Sequence, residues 1–493
     1  MGDPLPQFRF GTENIRQSLR TIACLGEVLC VLCLLSGCRS SAPKVGLIYN
    51  RAAQYENGDR NPIIVIPGIT GSTLTLGDHI VWGAFEGGHS NSETVEGARA
   101  LALPMRRGVS LAQLRDDTQA AGVLEHLEVS VLGLSIRLRA YVGLLNALGI
   151  GGFRDANLGL SGAMDYGDSH FTCFQFGYDW RRDNVENARR LHQFILEKKK
   201  YIRMERTKRF GRDADEEIKF DIVAHSMGGL VARYYLRYGP NEPPPLNATI
   251  KIPWSGCENV ERLILVGTPN AGSAEAVTTL VNGASFAPLL PKWAPAIVGT
   301  FPSVYQMLPR SRHRPLVDKA HPEWNLGDIL DPKFWDSHEW GLAAPNQDGV
   351  LRRLLPDVAG AAQRHAIALD HQRKCLARAR LFFHAMDAPG SPPPGTELFL
   401  FAGDAVDTPN RLSVDSADGD LAVHQTAPGD GIVARNSVLM DERMDGNWSP
   451  LLRSPIRWKQ VFFLFKDHRG LVTDPFFIDN VLYLLLEDPR DVN

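Results

Sequence analysis

Past residue 60 the apolar positions gather into short unbroken runs, each followed at once by turn residues. Ile63-Ile64-Val65-Ile66 leads into Pro67-Gly68, and Phe220 to Ala224, with one acid inside it, leads into a small-residue turn. Leu263-Ile264-Leu265-Val266 leads into Gly267-Thr268-Pro269, and Leu398 to Ala402 into Gly403. Phe462-Phe463-Leu464-Phe465, before Lys466-Asp467-His468, makes a fifth run. Runs this short, β-branched or aromatic and without polar alternation, fit strands buried on both faces of a parallel sheet. Helical periodicity falls between them. Asn187 to Met204 sets Leu191, Phe194, Ile195 and Ile202 among many charges, Leu230 to Tyr238 follows the second run, and Ile478 to Leu486 closes the chain. Strands alternating with helices over several hundred residues predict an α/β fold built on a doubly wound, mostly parallel sheet.

Two stretches break this rhythm. Residues 79–165 are rich in Gly and mixed polar residues and carry no clear strand pattern. Residues 310–395 hold many Arg and His, read mostly helical, and end in Pro389-Gly-Ser-Pro-Pro-Pro-Gly395. Both read as insertions that cap a site above the sheet.

The beginning of the chain has a different character. Arg16 and Arg20 precede an apolar stretch, Thr21 to Leu35, that ends in Leu35-Ser36-Gly37-Cys38 before the polar Arg39-Ser40-Ser41. A basic region, a short apolar core and small residues before a cut are the parts of a secretory signal. The Leu-Ser-Gly-Cys sequence resembles the lipobox of bacterial lipoproteins, which implies cleavage before Cys38 and lipid on its sulfur and amino group. Several acyl chains then tether a soluble body to a bilayer, since one alone binds only marginally. Glu27 departs from the pattern: it puts a charge in the apolar core and leaves only Val28 to Leu35 unbroken. Arg39 is not the aspartate that signals inner-membrane retention in such lipoproteins, so the resemblance implies the outer membrane. The expected organisation is a signal peptide over 1–37, a tether over 38–60, and one catalytic domain over 61–490 carrying the two insertions.

Composition narrows the remaining choices. Of 493 residues 44% are hydrophobic, which is too much apolar material for a disordered chain. The 53 Lys+Arg against 56 Asp+Glu, a net of −3, exclude a strongly basic nucleic-acid scaffold. No apolar run reaches the ~18 residues of an ordinary membrane span, so a multispan protein is excluded too. Of the 7 cysteines, cleavage would remove Cys24, Cys30 and Cys33 and lipid would take Cys38. Cys173, Cys257 and Cys375 remain, with no metal-ligand spacing and room for at most one disulfide. Nothing calls for a metal or organic cofactor, and nothing fixes an oligomeric state.

The chemistry concentrates in Phe220-Asp-Ile-Val-Ala-His-Ser226-Met-Gly-Gly-Leu230. A strand, a tight turn and an immediate helix make a nucleophile elbow, with Ala224 where Gly usually stands. Small residues are needed two before and two after the serine because strand and helix approach closely there; Ala224 and Gly228 meet that need. The turn exposes the Ser226 hydroxyl and aims the first helical N–H, that of Met227, at a developing oxyanion. A serine hydroxyl is a weak nucleophile and needs a histidine base oriented by a carboxylate, in the chain order Ser, Asp or Glu, His. His468 has the right place, after the last strand run and before the last helix, whereas His424 comes too early. His313, His321, His365 and His371 fall in the second insertion and read as solvated, and His225 reads as pointing away from the base. For the acid, Asp430 in Pro428-Gly-Asp-Gly-Ile-Val-Ala434 and Asp404 after the fourth run both stay open on spacing, Asp430 ahead. Asp415, Asp418 and Asp420 form an acidic cluster without the spacing of a calcium loop and read as a solvated turn.

Four segments, in order, resemble the lecithin–cholesterol acyltransferase-like group of α/β hydrolases, which includes phospholipases A2 and phospholipid–diacylglycerol acyltransferases. They are Asn61 to Leu74, Phe176-Gly-Tyr-Asp-Trp-Arg181, the elbow with Val266-Gly-Thr-Pro-Asn-Ala-Gly272 beyond it, and Gly429-Asp-Gly-Ile-Val433, where Ile432 replaces the family's Thr. The resemblance implies a Ser226–Asp430–His468 triad and a second oxyanion donor in the Ile69 N–H. It implies acyl transfer from a lipid ester to water or an acceptor alcohol. Family members often hold a lid after the first strand with a disulfide, but residues 75–165 contain no cysteine, so any lid here is held otherwise. Asp179 and Arg181 read as a buried structural ion pair rather than a substrate contact.

Overall fold

The computed structural model describes residues 42–55, 60–85, 91–124, 126–131, 134–139, 141–157, 170–211, 217–285, 292–443 and 449–490. The signal segment, Cys38 and its lipobox lie outside the described residues. A compact unit begins at Lys44. Part of the expected tether therefore packs on the catalytic body: Tyr49 is buried, and its hydroxyl donates to the Asp479 backbone and side chain at 2.8 Å. Among the described residues no helix is long and apolar enough to cross a membrane.

Among the described residues the central sheet has six strands: β1 (Ile63–Ile66), β2 (Cys173–Gln175), β3 (Phe220–His225), β4 (Val260–Val266), β5 (Glu397–Gly403) and β6 (Gln460–Leu464). All pairings are parallel, in the order β6-β5-β4-β3-β1-β2. Alternate residues divide between two apolar layers. Ile64, Ile66, Ile222, Leu263, Leu265, Leu398 and Leu400 face one, and Ile63, Val65, Val223, Ile264, Val266, Phe399 and Phe401 the other. This is why the runs show no polar alternation: β1 to β5 bury both faces, while β6, at the sheet edge, is only half-buried.

Helices cover both layers. On the second lie α1 (Val142–Ile150), through Leu144, Leu145 and Leu148, and α6 (Pro475–Leu486), through Phe477, Val481 and Leu484. On the first lie α2 (Asn184–Phe210), α3 (Met227–Tyr238), α4 (Ala274–Asn282) and the 27-residue α5 (Ala361–Asp387). Arg233 and Arg237 of α3 cap the last turn of α5: their guanidiniums donate to the carbonyls of Met386 (2.6 Å), Ala385 (3.2 Å) and Ala388 (2.6 Å).

The chain runs from β1 to β2 on one side, then crosses to β3 and proceeds outward through β4, β5 and β6. Strand order thus reverses between β1 and β3, and ligands of open α/β sheets bind at the carboxyl ends of strands at such a reversal.

The expectation of no strand in 79–165 is overturned. Strands Ser72–Leu76, His79–Trp82 and Thr118–Val123 form one antiparallel sheet; in a second, His126–Val131 pairs antiparallel with Leu134–Arg139 and parallel with Ala84–Phe85. Bulges break the registers of the first, and Gly122 interrupts it at φ +103°. In the second, Leu127, Val129 and Val131, then Leu134, Ile136 and Leu138, alternate with polar residues, a period-2 strand pattern that the sequence does carry. A long antiparallel ribbon, Val406–Val414 with Leu421–Gly429, also went unpredicted; its outer strand is mostly exposed and has no apolar face to signal it. The acidic cluster sits in its hairpin turn, where Asp415 and Asp418 accept from the backbone of Ala417 and Asp420.

Candidate active site

The elbow forms where β3 ends. Ser226 adopts φ +53° and ψ −128°, a backbone region that belongs to glycine, and α3 starts at the next residue. Ala224 lies inside the sheet in register with Ile66 on β1 and Leu265 on β4. A Cβ on Gly228 would overlap the Pro67 carbonyl oxygen, and one on Gly229 the Thr268 side chain, so the small residues are imposed by strand–helix proximity.

The His468 ring lies between Ser226 and Asp430. Nε2 is 2.9 Å from Ser226 Oγ, and Nδ1 is 2.8 Å from Asp430 Oδ2. A carboxylate only accepts, so Nδ1 carries the proton and Nε2 is free to accept from the serine hydroxyl. Asp430 is itself fixed: its Oδ1 accepts from the N–H groups of Ile432 (3.0 Å) and Val433 (2.7 Å), in a turn made by Gly431 at φ +91°. All three residues are buried. The competitors lie elsewhere: Asp404 pairs with Arg435, and His424 is exposed on the outer ribbon strand.

Pro67 to Gly71 form the loop facing the serine. Gly71 N–H donates to the Gly68 carbonyl at 3.0 Å, with Thr70 at φ +60° inside the turn. A Cβ on Gly68 would stand 2.7 Å from Ser226 Cβ, so only glycine lets the loop come this close. The Gly68 N–H is occupied by the Tyr141 hydroxyl at 2.8 Å. Among the described residues neither the Ile69 nor the Met227 N–H has a hydrogen-bond partner.

The Tyr-Asp-Trp-Arg segment braces this loop. Tyr178 Oη donates to the Pro67 carbonyl (2.9 Å), its amide donates to Ser72 Oγ (3.0 Å), and Trp180 Nε1 donates to the Ser72 carbonyl (3.1 Å). Trp82, from the first insertion, donates to the Thr70 carbonyl at 2.7 Å. Asp179 and Arg181 pair at 2.8 Å, both fully buried. Burial pushes the Asp179 carboxyl up, but Arg181 and Arg182 outweigh it and hold its pKa below the usual range. The same arginines reach Asp116 in the first insertion, which is therefore fastened by ion pairs rather than a disulfide.

Two expectations about histidine are corrected. His225 does not point away from the base: its Nε2 lies 3.0 Å from the His468 carbonyl oxygen, and the two rings are 4.8 Å apart. His313 and His371 are not solvated; each is buried and bonded through Nε2 to a backbone carbonyl, of Asp441 (2.8 Å) and Thr300 (3.0 Å). His321 and His365 are exposed. Cys173, Cys257 and Cys375 are free and buried. Among the described residues no His, Cys, Asp and Glu cluster has the makings of a metal site.

Residues 166–331 match the lecithin:cholesterol acyltransferase family. The lecithin:cholesterol acyltransferase match takes in Tyr178 to Arg181, the elbow and the loop after β4, while Ile69, Asp430 and His468 lie outside it. No curated protein matches the chain. Solved structures similar to it include a chain of the Tle4–Tli4 complex, 15% identical over 87% of this chain and 98% of that one with a TM-score of 0.48. Lipase 1 from Pelosinus fermentans is 13% identical over 87% and 99%, with a TM-score of 0.30. EstA from Clostridium botulinum is 12% identical over 92% of each chain, with a TM-score of 0.31. The parallel sheet with the elbow at its strand-order reversal gives the chain an α/β-hydrolase-type fold, similar over residues 166–331 to the lecithin:cholesterol acyltransferase family.

Proposed function

We propose that the protein is a serine acyl-transfer enzyme acting on lipid esters, held at a membrane by lipid on Cys38. The observation that carries this reading is the unbroken hydrogen-bonded series from Ser226 Oγ through His468 to Asp430. Ser226 attacks the ester carbonyl as His468 Nε2 takes its proton, and Asp430 steadies the imidazolium that forms. The N–H groups of Ile69 and Met227 receive the oxyanion. As the tetrahedral intermediate collapses, His468 returns the proton to the departing alcohol, leaving the acyl group on Ser226. Water or a lipid alcohol, deprotonated by His468, then attacks the acyl-enzyme and frees the serine.

Lipid as the substrate is supported by the family match and by the lipobox, which would keep the enzyme among acyl lipids, with outer-membrane placement expected from Arg39. The test has three parts. A fluorophosphonate should label the parent and not Ser226→Ala; equal labelling of both would sink the assignment of the nucleophile, and labelling of neither would favour an inactive lipid-binding lipoprotein. A panel of phospholipid, triacylglycerol, thioester and peptide substrates, with and without an acceptor alcohol, should show ester turnover, and preference for peptide would overturn the substrate class. Membrane fractionation of Cys38→Ser should release the protein from the membrane fraction if the anchor is real.

A further inference from the structure

A buried series of hydrogen bonds runs beneath the nucleophile and joins the two loops that flank it. His225 Nε2 lies 3.0 Å from the His468 carbonyl oxygen, which only accepts, so Nε2 carries a hydrogen. Burial, with the neighbouring His468, pushes the His225 pKa down to about 3, so the ring is neutral and its Nδ1 is an acceptor. The Tyr141 hydroxyl, 2.8 Å from Nδ1, must then donate to it. The same hydroxyl oxygen accepts from Gly68 N–H at 2.8 Å. Only one polarity satisfies every member: Gly68 N–H to Tyr141 O–H to His225 Nδ1, then His225 Nε2–H to the His468 carbonyl.

The ends of this series matter for the chemistry. Gly68 precedes Ile69, whose N–H has no hydrogen-bond partner among the described residues, and His468 is the residue whose ring meets Ser226 Oγ. His468 is fixed from a second side as well, its amide donating to the Asp430 carbonyl at 2.8 Å. Tyr141 comes from the first insertion, at the residue that opens α1, and is buried against the loop: a Cβ on Gly71 would stand 3.0 Å from its ring.

We infer that Tyr141 and His225 are positioning residues that fix the oxyanion loop and the His468 loop at one separation across Ser226, neither of them touching the substrate. The inference rests on Ser226 and His468 acting as nucleophile and base. Loss of either link leaves buried polar groups unpaired and lets the two loops drift, and misplacement of about 1 Å at such a site costs on the order of 100-fold in rate.

The test uses the full chain with p-nitrophenyl butyrate and a fluorophosphonate, and compares Tyr141→Phe, His225→Leu, His225→Gln and the double variant Tyr141→Phe/His225→Leu. A glutamine carboxamide offers one acceptor and donors in the histidine's place, so His225→Gln should keep kcat within about 3-fold while His225→Leu loses about 10- to 100-fold. Tyr141→Phe should fall as far as His225→Leu, with KM within about 2-fold and fluorophosphonate labelling slowed by the same factor. The double variant should be no slower than the worse single, because both break one series. The inference is overturned if Tyr141→Phe keeps the parent kcat, if His225→Gln falls as far as His225→Leu, or if the two losses multiply. Should Tyr141→Phe not fold, the glutamine and leucine variants decide the matter from the other end. Ser226→Ala run alongside separates the two levels: activity surviving there removes the nucleophile itself, whereas its loss beside an unaffected Tyr141→Phe removes only the positioning role.

Discussion

Asp430 and His468 are bound to each other twice: the His468 ring donates to the Asp430 carboxylate at 2.8 Å, and the His468 amide donates to the Asp430 carbonyl at 2.8 Å. The backbone bond sets the distance between the two loops, and the side-chain bond sets the imidazole tautomer. Asp430→Asn keeps the first and spoils the second, since a carboxamide can present a donor to Nδ1. The expected loss in kcat is about 10⁴-fold with little change in melting temperature. Asp404→Asn, at the other candidate acid, should leave kcat within about 2-fold, because it removes only an ion pair to Arg435. Steady-state kinetics on the two variants gives the comparison.

Ser226 holds a backbone conformation that a side chain resists. Replacement by glycine should relieve that strain and replacement by alanine should not. Ser226→Gly is expected to be more stable than Ser226→Ala by about 1 kcal/mol, both being inactive. Urea denaturation of the pair reads the difference; equal midpoints would mean that the turn is unstrained.

Arg181 donates to Asp179 at 2.9 Å and 2.8 Å, to Asp116 at 2.8 Å, and to the carbonyls of Ala100 (3.1 Å) and Leu101 (3.0 Å). A lysine ammonium has three donors and no fork, so it leaves part of this set unpaired. Arg181→Ala should cost about 3–5 kcal/mol, because it removes the closer of the two guanidiniums on the buried Asp179 carboxylate and leaves Arg182 alone. Arg181→Lys should recover only part of that loss, measured as unfolding free energy at pH 7.

Three buried histidines make stability fall in acid. His225 is pushed down to about 3, and His313 and His371 to about 4 each, chiefly by burial. Between about pH 6.5 and pH 4 the unfolded chain binds protons at these positions and the folded chain does not, so stability drops as pH drops. Each group contributes at most about 1.4 kcal/mol per pH unit across that window. His371→Gln should flatten the dependence by about one proton, read from denaturation midpoints at several pH values.

Which parts of this architecture could be read from sequence follows from where the information sits. β1, β3, β4 and β5 were legible because each is a run buried on both faces, β6 because its aromatic run is apolar although half-buried at the sheet edge, and the elbow and the Asp430 turn because glycine and small residues mark them locally. β2 was not: it has three residues, one of them Gln175, and its place is set by pairing with β1 across the first insertion. Tyr141 and Trp82 carried no signal either, since their roles arise from contacts with residues far away in sequence. His313 and His371 misled for the opposite reason. Their place in the second insertion suggested solvent, while a single carbonyl partner is enough to keep a neutral imidazole in the core.

The capping of α5 by Arg233 and Arg237 has a mechanical consequence. The helix that starts after Ser226 grips the final turn of α5 through three carbonyls, and Tyr238 adds a fourth bond, to the Ala385 carbonyl at 2.9 Å. Undocking that turn would strip the buried Arg237 of its carbonyl acceptors and leave Arg233 only Asn270 and Met440, which holds the turn against α3. Clearance for the proposed ester substrate on its way to Ser226 must then come from elements other than this docked turn.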